Sequence, residues 1–237
     1  MDDRLTRNYP ANYDAHARSV PAGAYWRQVR RTINGKPVDE TQIMMIVNEI
    51  ERALILKRED VVLDLACGNG ALSSYLFNKC AGVVGVDISP YLIEIARRDF
   101  ARPPNYCFSE ADMVSYVTRE SEVSSITKAL IYGAFQYVSR EDAVAVLRAL
   151  NERFSSLTRV FIGNLPDRRM AERFYGDRES TEVEELNDPE ARIGVWYVPE
   201  ELAAMAEAAG WRMSYSSMSA EFYASAYRFD LTLSRSE

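Results

Sequence analysis

From Val61 onward the chain alternates short, nearly continuous apolar or β-branched runs with stretches in which apolar residues recur every three or four positions. This is the pattern of strands alternating with helices. The runs predict strands over Val61–Leu65, Val83–Asp87, Asn105–Ser109, Ala129–Gly133 and Arg159–Gly163. Strands linked through helices pair in parallel and carry helices on both faces, so the expected architecture is a doubly wound α/β fold. Two further runs, Trp211–Met218 and Ala226–Leu233, follow one another with no helix between them. They bring the expectation to seven strands, mostly parallel, with an antiparallel C-terminal hairpin.

Local signals place several boundaries. Ser89 is the expected N-cap of a helix with Pro90 at its first position, where a missing N–H costs nothing. Ser139 with Asp142 three residues on predicts a second start. Val198-Pro199-Glu200-Glu201 opens a third helix, which Gly210 should end. Upstream, Tyr9, Tyr13, Tyr25 and Trp26 lie in polar sequence, and Ile43, Ile46, Val47, Ile50 and Leu54 share one helical face. Residues 1–60 therefore read as an N-terminal helical cap on a main domain of residues 61–237.

Charge alters the picture in one place. The net charge is −7, and residues 167–201 hold five basic and eleven acidic residues, whereas residues 1–60 hold ten basic and nine acidic. One segment thus sets the sign of the whole. We read an acidic insert at about 167–195, with Asp177–Glu190 too long for a routine connection. A lid and a solvated surface segment are both compatible with it, and it hints at a cationic or amino-bearing partner. The negative balance opposes binding to nucleic acid. No apolar run is long enough to span a bilayer, and MDDRLTRNYP lacks a secretory h-region, so a cytoplasmic protein without a membrane partner is expected. Cys67, Cys80 and Cys107 are odd in number and lack metal-ligand spacing, which predicts reduced thiols and no metal site.

The strongest chemical signal is Asp64-Leu65-Ala66-Cys67-Gly68-Asn69-Gly70, an acid at the end of a buried strand followed by a Gly-x-Gly turn into a helix expected over Ala71–Cys80. Small residues let a ligand lie against the backbone, and a helix N-terminus presents free N–H groups. Seventeen residues beyond Gly70, Asp87 closes the next strand, where a carboxylate can accept both hydroxyls of a ribose. The third strand ends near Ser109-Glu110-Ala111-Asp112-Met113, placing another carboxylate where an adenine amino group can donate. Three strand ends converge on the edge where open α/β sheets bind ligands.

With these residues the chain resembles the class I S-adenosylmethionine (SAM)-dependent methyltransferases. Asp64 to Gly70 resembles their glycine-rich motif I, Asp87 their ribose-binding acid, and Ala111-Asp112-Met113 their adenine-contacting turn. The resemblance runs from about Val61 to Leu165 and, more loosely, to the C-terminal strands. It implies a Rossmann-like fold and SAM as cofactor, held by Asp64, Ala66, Gly68, Asn69, Gly70, Asp87, Ile88, Ala111, Asp112, Met113 and Tyr132. Gly68 and Gly70 would flank its methionine part, and Ile88 would pack on the adenine. The fourth strand's end, Tyr132-Gly133-Ala134-Phe135-Gln136-Tyr137, departs from the family's base-amine and glutamine methylating members, which carry an Asn/Asp-Pro-Pro-Tyr/Phe motif. It also lacks the magnesium-holding aspartates of catechol-type members and the Pro-Cys nucleophile of cytosine-C5 members.

Methyl transfer from a sulfonium is an in-line displacement governed by positioning, with no intrinsic need of a metal. Gln136 and Tyr137 are the candidates for orienting the acceptor, with Asn164 a third, and His16, the only histidine, is the candidate base. Tyr25, Trp26 and Arg27 form a cap cluster, read first as helix packing with a solvated Arg27; the alternative is that an aromatic ring covers the sulfonium and Arg27 pairs with the SAM carboxylate. Cys67 is expected to pack against the turn, Tyr223 and Tyr227 to lie on the sheet surface, and Arg168 and Arg169 to face solvent. The expected function is methyl transfer from SAM to an O or N atom of a small molecule, such as a sugar or natural-product intermediate. Two alternatives remain. One is an NAD-dependent oxidoreductase, for which Ser73 stands where a third glycine is expected, and the other is a non-catalytic SAM-binding module.

Overall fold

The structure, a computed structural model, describes residues 11–119, 125–175 and 185–235. In chain order its elements are α1 Ala11–Ser19, α2 Tyr25–Gln28, the two-stranded hairpin β1 Thr32–Ile33 and β2 Lys36–Pro37, then α3 Glu40–Leu54. The sheet region follows with β3 Val61–Leu65, α4 Ala71–Ser74, β4 Gly82–Asp87, α5 Pro90–Ile95, β5 Tyr106–Glu110, α6 Met113–Arg119, β6 Lys128–Tyr132 and α7 Arg140–Arg153. It continues with β7 Arg159–Pro166, α8 Ala171–Tyr175, α9 Pro199–Ala208, β8 Trp211–Ser216 and β9 Arg228–Arg235.

Seven strands form one sheet in the order β5-β4-β3-β6-β7-β9-β8. The first five pair in parallel, and β9 runs antiparallel to both β7 and β8. This is the doubly wound, mostly parallel α/β sheet expected, with its antiparallel end. Successive strand residues feed opposite faces, as the pleat requires. Leu63, Leu65, Ala129, Ile131, Val160 and Ile162 join the core under α6, α7 and α9. Val62, Val83, Leu130 and Phe161 join the second core under α3 and the segment after Gly70. The apolar face of α3 packs on β7 and β6, so this helix is a layer of the sheet.

The caps form as the sequence indicates. The Ser89 hydroxyl accepts from the Leu92 N–H and the Ser139 hydroxyl from the Asp142 N–H. Gly210 follows α9 at φ +80°. The helix expected over Ala71–Cys80 is shorter, because α4 ends at Ser74 and turns of i to i+3 hydrogen bonds carry the chain on. Ser73 and Ser74 supply a reason: their hydroxyls donate to the Asp64 carboxylate and the Ala71 carbonyl, competing with continued helix. The π-turn Ala96–Phe100 extends α5, and Tyr25 of the cap donates to Asp99 there. No helix among the described residues is long and apolar enough to cross a membrane.

Candidate active site

The C-terminal ends of β3, β4, β5, β6 and β7 open into a cavity of about 700 Å³, roofed by α1, α2 and the segment from Val29 to Gly35. Of the sequence-derived candidates, Asp64, Ala66, Gly68, Asn69, Asp87, Ile88, Ala111, Asp112, Met113, Tyr132, Gln136, Tyr137 and His16 line it. Gly70 does not. It sits at φ +77° as the residue before α4, and a Cβ there would lie 3.0 Å from Phe108 and 3.1 Å from Ala96. Its smallness lets the turn pack on β5 and α5, so its contribution is to the turn's shape.

At the β3–β4–β5 end the site is made of carboxylates. Asp87 accepts the Gly68 N–H at 2.8 Å and the Ser89 N–H at 2.9 Å, which fixes its orientation, and burial pushes its pKa up. Asp64, 2% exposed, accepts the Ser73 hydroxyl at 2.5 Å, and burial raises its pKa to about 7. Asp112 accepts the Ser115 N–H at the start of α6. Between Asp87 and the α5 cap, Ile88 is 61% exposed, an aliphatic surface beside polar groups. Ala66 at φ +63° and Gly68 at φ +60° turn the backbone sharply after β3. These residues fit SAM: its ammonium, ribose hydroxyls and adenine amino group are donors that match Asp64, Asp87 and Asp112, and Ile88 offers the adenine an apolar face.

The cap closes on this end. Asn69 donates to the Tyr25 carbonyl and the Gln28 side chain, both at 3.0 Å, and the Val29 methyl lies 2.9 Å from where a Gly68 Cβ would stand. Asp14 of α1 accepts the Ser89 hydroxyl and the Tyr91 N–H. His16 Nε2 is 2.9 Å from the Arg27 carbonyl, so that nitrogen carries the proton and Nδ1 is the basic atom. Burial lowers the His16 pKa, which keeps the ring neutral near pH 7.

At the β6–β7 end the chemistry changes. Gln136, 2% exposed, donates to the Gly133 carbonyl, and its Oε1 is buried without a hydrogen-bond partner. The Tyr137 hydroxyl donates to the Arg192 carbonyl. A β-bulge in β7 opposite β9 holds Asn164 at φ +65°, with its N–H on Asp230 at 2.7 Å and its Oδ1 buried without a partner. Bulges of this kind re-aim a side chain, here toward the cavity.

Sequence reasoning missed part of this wall. Tyr223 and Tyr227, expected on the sheet surface, line the cavity, as do Arg30, Arg31, Arg192 and Arg228. The two side-chain bonds of Gln42 from α3, to the Glu221 carbonyl and from the Tyr223 N–H, bend the β8–β9 connection over the strand ends. Nothing in local periodicity signals that return. Asp177–Glu184 of the acidic run lie outside the described residues. On either side of them, Phe174, Tyr175 and Trp196 form a small aromatic core with Tyr227, and Phe174, Arg192 and Ile193 reach the cavity. Among the described residues no acid of 167–201 lines it. Arg169 pairs with Asp167 away from the cavity, and Cys67 is buried with its thiol pKa raised.

Residues 62–154 match the family model described as a methyltransferase domain. Among curated proteins the chain is similar to an uncharacterized methyltransferase of Schizosaccharomyces pombe, 40% identical over 52 residues, 22% of this chain and 20% of that protein. It is also similar to a probable ribosomal RNA small subunit methyltransferase A of Methanopyrus kandleri, 28% identical over 79 residues, 33% of this chain and 27% of that one. The chain thus spans about a fifth to a quarter of the length of these relatives. In fold it resembles magnesium protoporphyrin IX methyltransferase from Synechocystis with bound SAH, with a TM-score of 0.64 and 16% identity over 96% of this chain and 98% of that one. A DhpI-SAH complex gives 0.62 and 16% over 99% and 98%, and the small RNA methyltransferase HEN1 gives 0.59 and 13% over 85% and 26%. Residues 62–154 thus match a methyltransferase domain, and the seven-stranded sheet around them has the fold of SAM-dependent methyltransferases of known structure.

Proposed function

We propose that this chain transfers a methyl group from SAM to an O or N atom of a small-molecule acceptor in the cytoplasm. The observation that carries the reading is continuity: the carboxylates at the β3–β5 ends and the acceptor-side candidates Gln136, Tyr137 and Asn164 line one cavity. SAM supplies a methyl on a sulfonium, and in-line attack breaks the C–S bond, forms C–O or C–N, and leaves SAH. Asp87 accepts the ribose hydroxyls, Asp112 the adenine amino group, and the Ala66-to-Gly68 turn lies against the methionine part. Gln136 and Asn164, whose buried oxygens lack protein donors, orient the acceptor by accepting from it. His16 Nδ1 takes the proton when the attacking group is a hydroxyl.

A roofed cavity also favours a small acceptor over a polymer, since α1 and α2 lie across the strand ends. Isothermal titration with SAM, SAH and NAD in parallel tests the cofactor, and methyl transfer to a panel of small hydroxyl and amino acids tests turnover. Micromolar SAH binding with none of NAD, followed by turnover, is expected. NAD binding would return the chain to the oxidoreductase reading, and SAH binding with no turnover on any acceptor, RNA included, would favour a binding module.

A further inference from the structure

Resting on the methyltransferase reading, the guanidinium-lined end of the cavity identifies the class of acceptor. We infer that the acceptor carries an oxyanion, the chemistry a carboxylate and a phosphate monoester share, and that Arg228, assisted by Arg31 and Tyr223, holds it.

Arg228 opens β9 beside the β7 bulge and lines the cavity. Its Nη1 donates to the Asn164 carbonyl at 2.8 Å, and its guanidinium carbon lies 5.2 Å from the Tyr227 ring centre. Its Nε is buried without an acceptor. Arg31 enters from the roof, stacked 5.0 Å from the Tyr132 ring centre and 5.4 Å from that of Trp26. Tyr223 lines the same cavity as Arg31 and Arg228, and the charges of both guanidiniums act on its phenol. Tyr132 feels both guanidiniums as well.

Among the described residues no carboxylate lies within salt-bridge distance of Arg31 or Arg228. Asp64 acts on Arg31 only through space. Asp230, two residues along β9 from Arg228, has one oxygen on the Asn164 N–H. Half-buried guanidiniums without counter-charge are costly, and a guanidinium edge matches a carboxylate or phosphate in two parallel hydrogen bonds. Arg192, at the same end, adds positive potential. The segregation of charge is what specifies the ligand. The carboxylates Asp64, Asp87 and Asp112 occupy the cofactor end, so an anion is repelled from there and drawn to the β6–β7–β9 end.

SAM carries a carboxylate of its own, and the test separates the two sources. The full chain, with and without saturating SAH, is titrated with benzoate, phenyl phosphate and the neutral isostere benzamide. The wild type should bind at least one oxyanion at least tenfold tighter than benzamide. Arg228→Gln should erase that preference while SAH affinity stays within twofold, and Arg228→Lys should keep part of it. Tyr223→Phe, which leaves the bulge untouched, should weaken the oxyanion several-fold. Benzamide binding as well as benzoate, an unchanged oxyanion affinity in Arg228→Gln, or no oxyanion binding to the wild type would overturn the inference. So would a fall in SAH affinity in step with that of benzoate, since the guanidiniums would then hold the cofactor's carboxylate. Failure of SAH to bind would strike the methyltransferase reading instead, and the titration without SAH would still decide the anion site.

Discussion

The two ends of the cavity are built on the same sheet edge from opposite materials. At β3–β5 the ligand-facing groups are carboxylates set by short-range geometry, with the Asp87–Gly68 bond closing over 19 residues. At β6, β7 and β9 they are guanidiniums, phenols and side-chain amides assembled over long range, with 64 and 66 residues separating Arg228 and Asp230 from Asn164. In the proposed function the first end takes the donor-rich cofactor and the second the methyl acceptor. Mutations should therefore sort by end: cofactor affinity should respond to one and turnover to the other.

The largest effect is expected at Asp87. Replacing it with Ala would remove the proposed ribose acceptors and free the Gly68 and Ser89 N–H groups, an expected loss of about 1–3 kcal/mol in SAH affinity by titration calorimetry. An unchanged affinity would remove Asp87 from the cofactor site. Gly68→Ala comes next. Its φ of +60° costs a side chain about 1–2 kcal/mol, and the new methyl would meet Val29 at 2.9 Å. SAH affinity should fall, and adding Val29→Ala should restore part of it; no rescue would mean that the backbone alone carries the effect.

At the other end, Gln136→Ala should lower kcat about tenfold with SAH affinity within twofold. A loss of SAH binding would move Gln136 into the cofactor site and blur the comparison. The smallest effect is on stability. Burial pushes the Asp230 pKa to about 7, with Glu49 adding to it and the Asn164 N–H and Arg52 opposing. An unfolded Asp titrates near about 4, so between about pH 4 and 7 the folded chain binds a proton that the unfolded chain releases. Stability therefore falls as pH rises through that window. Asp230→Asn should flatten the fall in Tm by a few degrees, measured by calorimetry at several pH values, and an unaltered slope would mean that Asp230 is ionised throughout.

This contrast also explains what the sequence made legible. Strand positions, the Ser89 and Ser139 caps and the glycine turn are written in local pattern, and the structure places the strand ends within a few residues of expectation. The helix after Gly70 is shorter than apolar spacing predicts, because spacing does not register that Ser73 is drawn to Asp64. Tyr223, Tyr227 and Arg228 were invisible as site residues because a bond from Gln42, 181 residues away from Tyr223, bends their segment inward. Likewise, the net charge of 167–201 is plain, but not that Arg192 faces the cavity.

The antiparallel strand β9 pairs between β7 and β8 although it comes last of the seven in sequence. During synthesis the turns after β3, β4 and β5 can take shape once Met113 has emerged, while Asn164 waits for its bulge partner until Asp230 has been made and inserted. A folding intermediate lacking β9 is thus expected to recognise its cofactor before it can recognise anything to modify.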